Sequence, residues 1–234
     1  MHRKRVAVVA AMRRELAPLL KGVRGQRSDG IELFELETAV IAVGGIGRKA
    51  AQKSARSVVE RYAPAMLVSA GIAGALTAKL NVGDVIRASE VVDAETGMRF
   101  PANGGESVIA TAEQVSGPAE KRVLAVRYRA DVVDMEASAV AEIAQNHGIG
   151  FAAIKAISDG LEFEMPPMAR FVGEAGNFET TRFAAYVAVR PKWWSIVRQL
   201  SRNSKLASVN LGHELQHLIM GASKDKQEER IPLV

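Results

Sequence analysis

At 234 residues, with 48% hydrophobic and 24% charged content, the chain is long enough for one globular domain with a sizeable core. It contains no cysteine, which excludes a disulfide framework and a thiolate nucleophile or ligand and agrees with a reducing compartment. The net charge of +5 does not make a polyanion binder of it, because 26 acidic residues are interspersed among the 31 basic ones, and no nucleic-acid partner is expected.

The chain opens on a basic head, MHRKR, followed by VAVVAAM, an arrangement that imitates a signal peptide until Arg13, Arg14 and Glu15 cut the apolar run short. That run reads as a first buried strand over 5–11. No apolar run approaches the roughly 18 residues needed to span a bilayer, so the expectation is a soluble, cytoplasmic protein. Short β-branched runs at 39–43, 65–70, 84–92, 107–112, 131–134 and 151–158 bring the expected strands to seven. Between them, KAAQKSARSVVERY places Ala51, Ala55, Val58, Val59 and Tyr62 at helical spacings and stops before Pro64. EASAVAEIAQNH is a second helix, stopped by Gly148.

Apolar strands joined by crossover helices predict an α/β fold: a three-layer sandwich with a central mixed, mostly parallel sheet. From about residue 168 the pattern turns helical, interrupted at Pro191, and these helices are expected on the outside of the sheet. A charged, frayed tail from about 222 completes a single domain over 1–234.

Ligands of open α/β sheets bind beyond the carboxyl ends of the strands. Glu15 follows the first strand, Gly71 to Gly74 the third, Glu136 the sixth and Asp159 the seventh, so parallel strands would turn all four positions to one cleft. A carboxyl desolvated there keeps its proton near neutrality, whereas one surrounded by donors stays ionised and accepts two neighbouring hydroxyls, as from a ribose diol. Three acids can thus divide the breaking of a sugar-to-base bond: one protonates the base, one grips the sugar and one readies water. Spacing alone does not assign those roles.

Four stretches in fixed order carry a resemblance: AAMRRE with Glu15, VGGIGRKAA at 43–51, SAGIAGALTAKLNVGDVI at 69–86, and VVDMEASAVA with KAISDG between 132 and 160. Together they resemble the nucleoside phosphorylase and nucleosidase superfamily, in particular its methylthioadenosine/S-adenosylhomocysteine nucleosidases and hopanoid-associated phosphorylases. The resemblance implies a purine nucleoside substrate, no metal, no organic cofactor, and a homodimer or larger homo-oligomer. It implies that Asp159 gives a proton to the purine N7 and that Glu136, with Met135 beside it, holds the 2′ and 3′ hydroxyls. Glu15 would orient or deprotonate water, and Ser158 and the backbone around Gly71 would position these groups.

The chain departs from the nucleosidases at three places: Ile72 stands for a serine, Lys155 for an arginine, and Val115 for the aromatic that stacks on adenine. Lys155 lies mid-strand among apolar neighbours, as an ion-pair member or as a positioner of Asp159. The expected function is hydrolysis of a 5′-substituted purine nucleoside. The alternative is phosphorolysis of adenosylhopane, which Ile72 favours, whereas Glu15 would repel phosphate.

Two motifs compete with this reading. HELQH at 213–217 matches the short zinc-peptidase pattern, but Met220 stands where the extended pattern needs glycine and no histidine follows. It reads as a surface helix with two ordinary histidines. Trp193 and Trp194, with Arg190, Lys192, Arg198, Arg202 and Lys205, could meet a membrane surface, and packing within the protein is the preferred reading. A non-catalytic nucleoside-binding protein is the third class considered.

Overall fold

Strand β1 (Val6–Ala10) is buried along its whole length, and its alternating side chains enter two different cores. The structure, a computed structural model, describes residues 6–173 and 176–228, the side chains of 222–228 aside. In chain order there follow β2 (Gly25–Ser28), β3 (Ile31–Glu35), β4 (Ala39–Val43), α1 (Arg48–Tyr62), β5 (Met66–Ala75), β6 (Val85–Asp93), β7 (Arg99–Pro101) and β8 (Ser107–Thr111). The rest are α2 (Pro118–Tyr128), β9 (Val132–Asp134), α3 (Ala137–Asn146), β10 (Gly150–Asp159), α4 (Thr180–Ala188) and α5 (Trp194–Glu228).

Ala7 and Val9 of β1, Val40 and Ala42 of β4 and Leu67 of β5 pack against α1 and α3 on one face. The intervening Val8, Ile41, Val68 and Ile154 pack against Leu211 and Leu215 of α5 on the other. Period-two alternation in strands that are apolar throughout therefore requires a helical cover on both faces. Helix α1 ends at Ala63, in the left-handed region (φ 43°), ahead of Pro64 as the sequence requires.

All seven expected strands form, but the ten-strand sheet is evenly mixed rather than mostly parallel: five of its pairings are parallel and five antiparallel. Strand β5 changes partner along its length. Val6–Val9 of β1 pair with its first half, whereas β9 takes its far end through Gly74 and Ala75. Strand β10 runs beside β5 throughout and also pairs with β6, so β5, β10, β6, β8 and β9 close into a ring. The sheet is thus closed into a ring at one end rather than open throughout.

The helical reading of 168 onward holds only in part. Met168–Phe171 is a single 3-10 turn, Val172 and Phe178 form an isolated bridge, and regular helix resumes at α4. Helix α5 continues to Glu228, beyond the expected fraying point near 222, and the tail from 229 lies outside the described residues. Among the described residues, no helix is long and apolar enough to cross a membrane.

Candidate active site

The loop after β1 turns through a 3-10 helix at Arg13–Leu16, which buries Glu15 to 3% exposure. Its carboxylate accepts the Met12 backbone N–H at 3.1 Å. Burial pushes the Glu15 carboxyl above its usual range, against the pull of that N–H and of the Lys155 ammonium.

Glu136 sits at the N-terminus of α3, between β9 and the helix. Gly47, at φ 93°, donates its N–H to Glu136 Oε1 at 2.8 Å, so the GGIG loop orients this carboxylate. Burial, and then the neighbouring Asp134 carboxylate, push Glu136 up to about 7. Asp134 in turn accepts the Ala137 N–H at 2.8 Å and the Glu136 N–H at 3.3 Å, fixing the start of the helix.

Asp159 ends β10, where the register with β5 shifts between Ile157 and Asp159. Such a bulge re-aims the side chain that follows it. Ser158 Oγ donates to Asp159 Oδ1 at 2.6 Å, and Lys121 of α2 forms a buried ion pair with Asp159 Oδ2. Gly74 faces this pair: a Cβ there would lie 2.9 Å from Asp159 Oδ2 and 3.1 Å from the Lys121 side chain, so the approach needs glycine.

Glu15, Glu136 and Asp159 all line one cavity of about 600 Å³, together with Met135, Ser158, Ile72 and Val115. Met165, Met168, Phe178, Phe183, Val197 and Leu200 give it an apolar stretch of wall, beside the polar Thr180, Ser201, Ser204 and Lys205. A neighbouring hollow of about 700 Å³ shares Ile46, Gln114, Met135 and Val172 with it and carries none of the three acids.

Two expected site residues stand behind the wall. Gly71 is not among the residues lining the cavity; a Cβ there would meet Glu15 Oε2 at 3.5 Å and Lys155 Nζ at 3.7 Å, ordinary van der Waals distances, so it lies against both groups. Lys155 is 1% exposed. Its ammonium pairs with Asp134 Oδ2 at 2.8 Å and donates to Ser69 Oγ at 3.1 Å. Burial alone would lower the Lys155 ammonium, but Asp134, Glu136 and Glu15 more than offset it and hold it above the usual lysine range. Lys155 is thus the ion-pair member of the two alternatives.

The rival motifs find no such setting. His213 and His217 are exposed, and Glu214 between them is bound by Arg87, at 2.7 Å from Nε and 2.6 Å from a terminal nitrogen. No cluster of three metal-binding side chains occurs among the described residues. Trp194 donates its indole N–H to the Val187 carbonyl at 2.9 Å, tying α5 to α4.

Lys121 and Asp134 are the charged site residues that sequence reasoning missed. For Lys121 the one available signal is that Lys121, Leu124 and Tyr128 recur at spacings of three and four, the buried face of α2.

The fold and these three acids define an enzyme of the nucleosidase and phosphorylase kind. The model of the phosphorylase superfamily matches residues 5–116 and 105–188, and the chain belongs to that superfamily. Among its relatives are the 5′-methylthioadenosine/S-adenosylhomocysteine nucleosidases of Bacillus thuringiensis and Bacillus cereus, 28% identical over 197 residues, covering 66% of this chain and 85% of theirs. The fold is similar to that of a methylthioadenosine/S-adenosylhomocysteine nucleosidase from Colwellia psychrerythraea solved with adenine (17% identity, 95% of this chain and 97% of that one, TM-score 0.69). It is similar also to that of futalosine hydrolase from Helicobacter pylori (18% identity, 92% and 98%, TM-score 0.67).

Proposed function

We propose that this enzyme, as one domain, hydrolyses the N-ribosyl bond of a 5′-substituted purine nucleoside. The observation that carries the reading is the convergence of Glu15, Glu136 and Asp159, from distant parts of the chain, on one cavity in three unlike environments. Asp159 delivers a proton to the purine N7, so that the C1′–N9 electron pair leaves with a neutral base. Glu136, anchored by Gly47, accepts hydrogen bonds from the ribose 2′ and 3′ hydroxyls and steadies the positive charge growing on the sugar. Glu15 takes a proton from water as it attacks C1′; a carboxylate whose pKa is raised by burial is a stronger base for that task.

Water is favoured over phosphate because the two buried lysines beside the acids are already engaged, Lys155 by Asp134, Glu136 and Glu15 and Lys121 by Asp159, and the carboxylates would repel a phosphate dianion. The apolar wall of Met165, Met168, Phe178, Phe183, Val197 and Leu200 supports a bulky apolar 5′ substituent. Methylthioadenosine incubated with the protein should yield adenine and the free sugar at the same rate with or without phosphate, and KM should fall as the 5′-alkylthio chain is lengthened. Strict dependence on phosphate with a sugar 1-phosphate product would replace hydrolysis by phosphorolysis, and no base release from any purine nucleoside would end the reading.

A further inference from the structure

Asp159 is a buried ion of a particular kind. Lys121 is 1% exposed and Asp159 2%, and the Lys121 ammonium donates both to Asp159 Oδ2 and, at 2.7 Å, to the Gly160 carbonyl oxygen. Taking two charges out of water costs several kcal/mol per ion before their attraction offsets it. A site that needed only a carboxylic acid would do without the lysine, since burial alone keeps a lone carboxyl protonated. As paired here, the carboxylate lacks the proton that the departing base requires, and the mobile proton of the pair is on the lysine. Both side chains line the cavity, and the glycine at position 74 lets them close on each other.

We propose that Lys121 is the source of the proton that Asp159 delivers to the base. The inference rests on the nucleosidase reading above, and Lys121 is a positioning residue that acts through Asp159. As the C1′–N9 bond breaks with its electron pair going to N9, a proton passes from Lys121 Nζ to the Asp159 carboxylate and from the carboxyl so formed to N7. The base leaves neutral, Asp159 remains a carboxylate and Lys121 becomes an uncharged amine. Water adds hydroxide to C1′ and leaves its proton on Glu15, and exchange of that proton with solvent and through it to Lys121 restores the resting state.

The test compares methylthioadenosine with p-nitrophenyl β-D-riboside, whose phenolate departs without protonation. In Lys121→Met, Asp159 must take its proton from water, so turnover of methylthioadenosine should fall about 100-fold at pH 8.5 but less than about tenfold at pH 6, with less than about threefold loss on the nitrophenyl riboside at either pH. Lys121→Arg keeps the buried charge but cannot give up a proton, and should be as slow as Lys121→Met at pH 8.5. Recovery of activity by arginine, a loss independent of pH, or equal losses on both substrates would overturn the proposal. The arginine variant decides the matter even if the methionine variant does not fold. Absence of cleavage by the wild-type enzyme on both substrates would instead refute the nucleosidase reading itself.

Discussion

Replacing Glu136 by glutamine separates what the residue does for catalysis from what it costs the fold. The amide is isosteric, and its oxygen can still accept the Gly47 N–H. The carboxyl titrates at about 7 in the folded protein because of burial and the Asp134 carboxylate, against an ordinary 4.5. Between those values the folded state binds a proton that the unfolded chain has released, so the contribution of this group to stability is greatest below pH 4.5, falls as pH rises, and levels off above about 7. At 1.36 kcal/mol per pH unit the interval amounts to at most about 3 kcal/mol, an upper bound because the side chain keeps some contact with solvent. Glu136→Gln should therefore match the wild type in urea unfolding at pH 4.5 and exceed it by up to about 3 kcal/mol at pH 8, or about 6–12 °C in Tm for a chain of this size. Turnover of methylthioadenosine should fall at least about 100-fold at the same time, since the neutral amide no longer stabilises the charge growing on the sugar. Parallel stability curves for the two proteins from pH 4.5 to 8 would refute the electrostatic account of this residue.

Asp159→Asn should slow base release by about a hundred- to ten-thousand-fold, measured by chromatography of the free base, the usual worth of a positioned proton donor. Lys155→Met should cost about 3–5 kcal/mol in urea unfolding at pH 7, because it leaves the buried Asp134 carboxylate without its cation. Activity should be unchanged in excess EDTA and in His213→Ala/His217→Ala, both read in the methylthioadenosine assay, since neither exposed histidine belongs to the site.

Much of the fold was legible because buried strands have a plain signature. Runs such as VAVVA and AVIAV are apolar on both faces, and both faces proved to be covered. The hairpin of β2 and β3 escaped notice because GQRS is polar and exposed. Its turn was nonetheless written in the sequence, as Asp29-Gly30, both at positive φ, the dipeptide that such hairpins prefer. Helix α2 was hidden for another reason: Val123 and Val126 are exposed, which blurs the apolar stripe that marks a helix.

At the site, the three acids could be found because each follows a strand, and the loops after strands meet. Their environments could not be read in the same way, since Lys121 and Lys155 reach their carboxylates across 38 residues and 21 residues of chain respectively, contacts that only tertiary packing creates. The partner change along β5 is likewise invisible in a run of small apolar residues, where nothing local says which neighbour takes which half.

The most direct measurement is a crystal structure of the protein with an uncleavable purine nucleoside analogue. The account predicts one ligand in the cavity of about 600 Å³, with Glu136 accepting from both ribose hydroxyls, Asp159 at the base N7, and a water between Glu15 and C1′. A ligand seated elsewhere, or bound with any of these three carboxylates out of reach of it, would contradict the account.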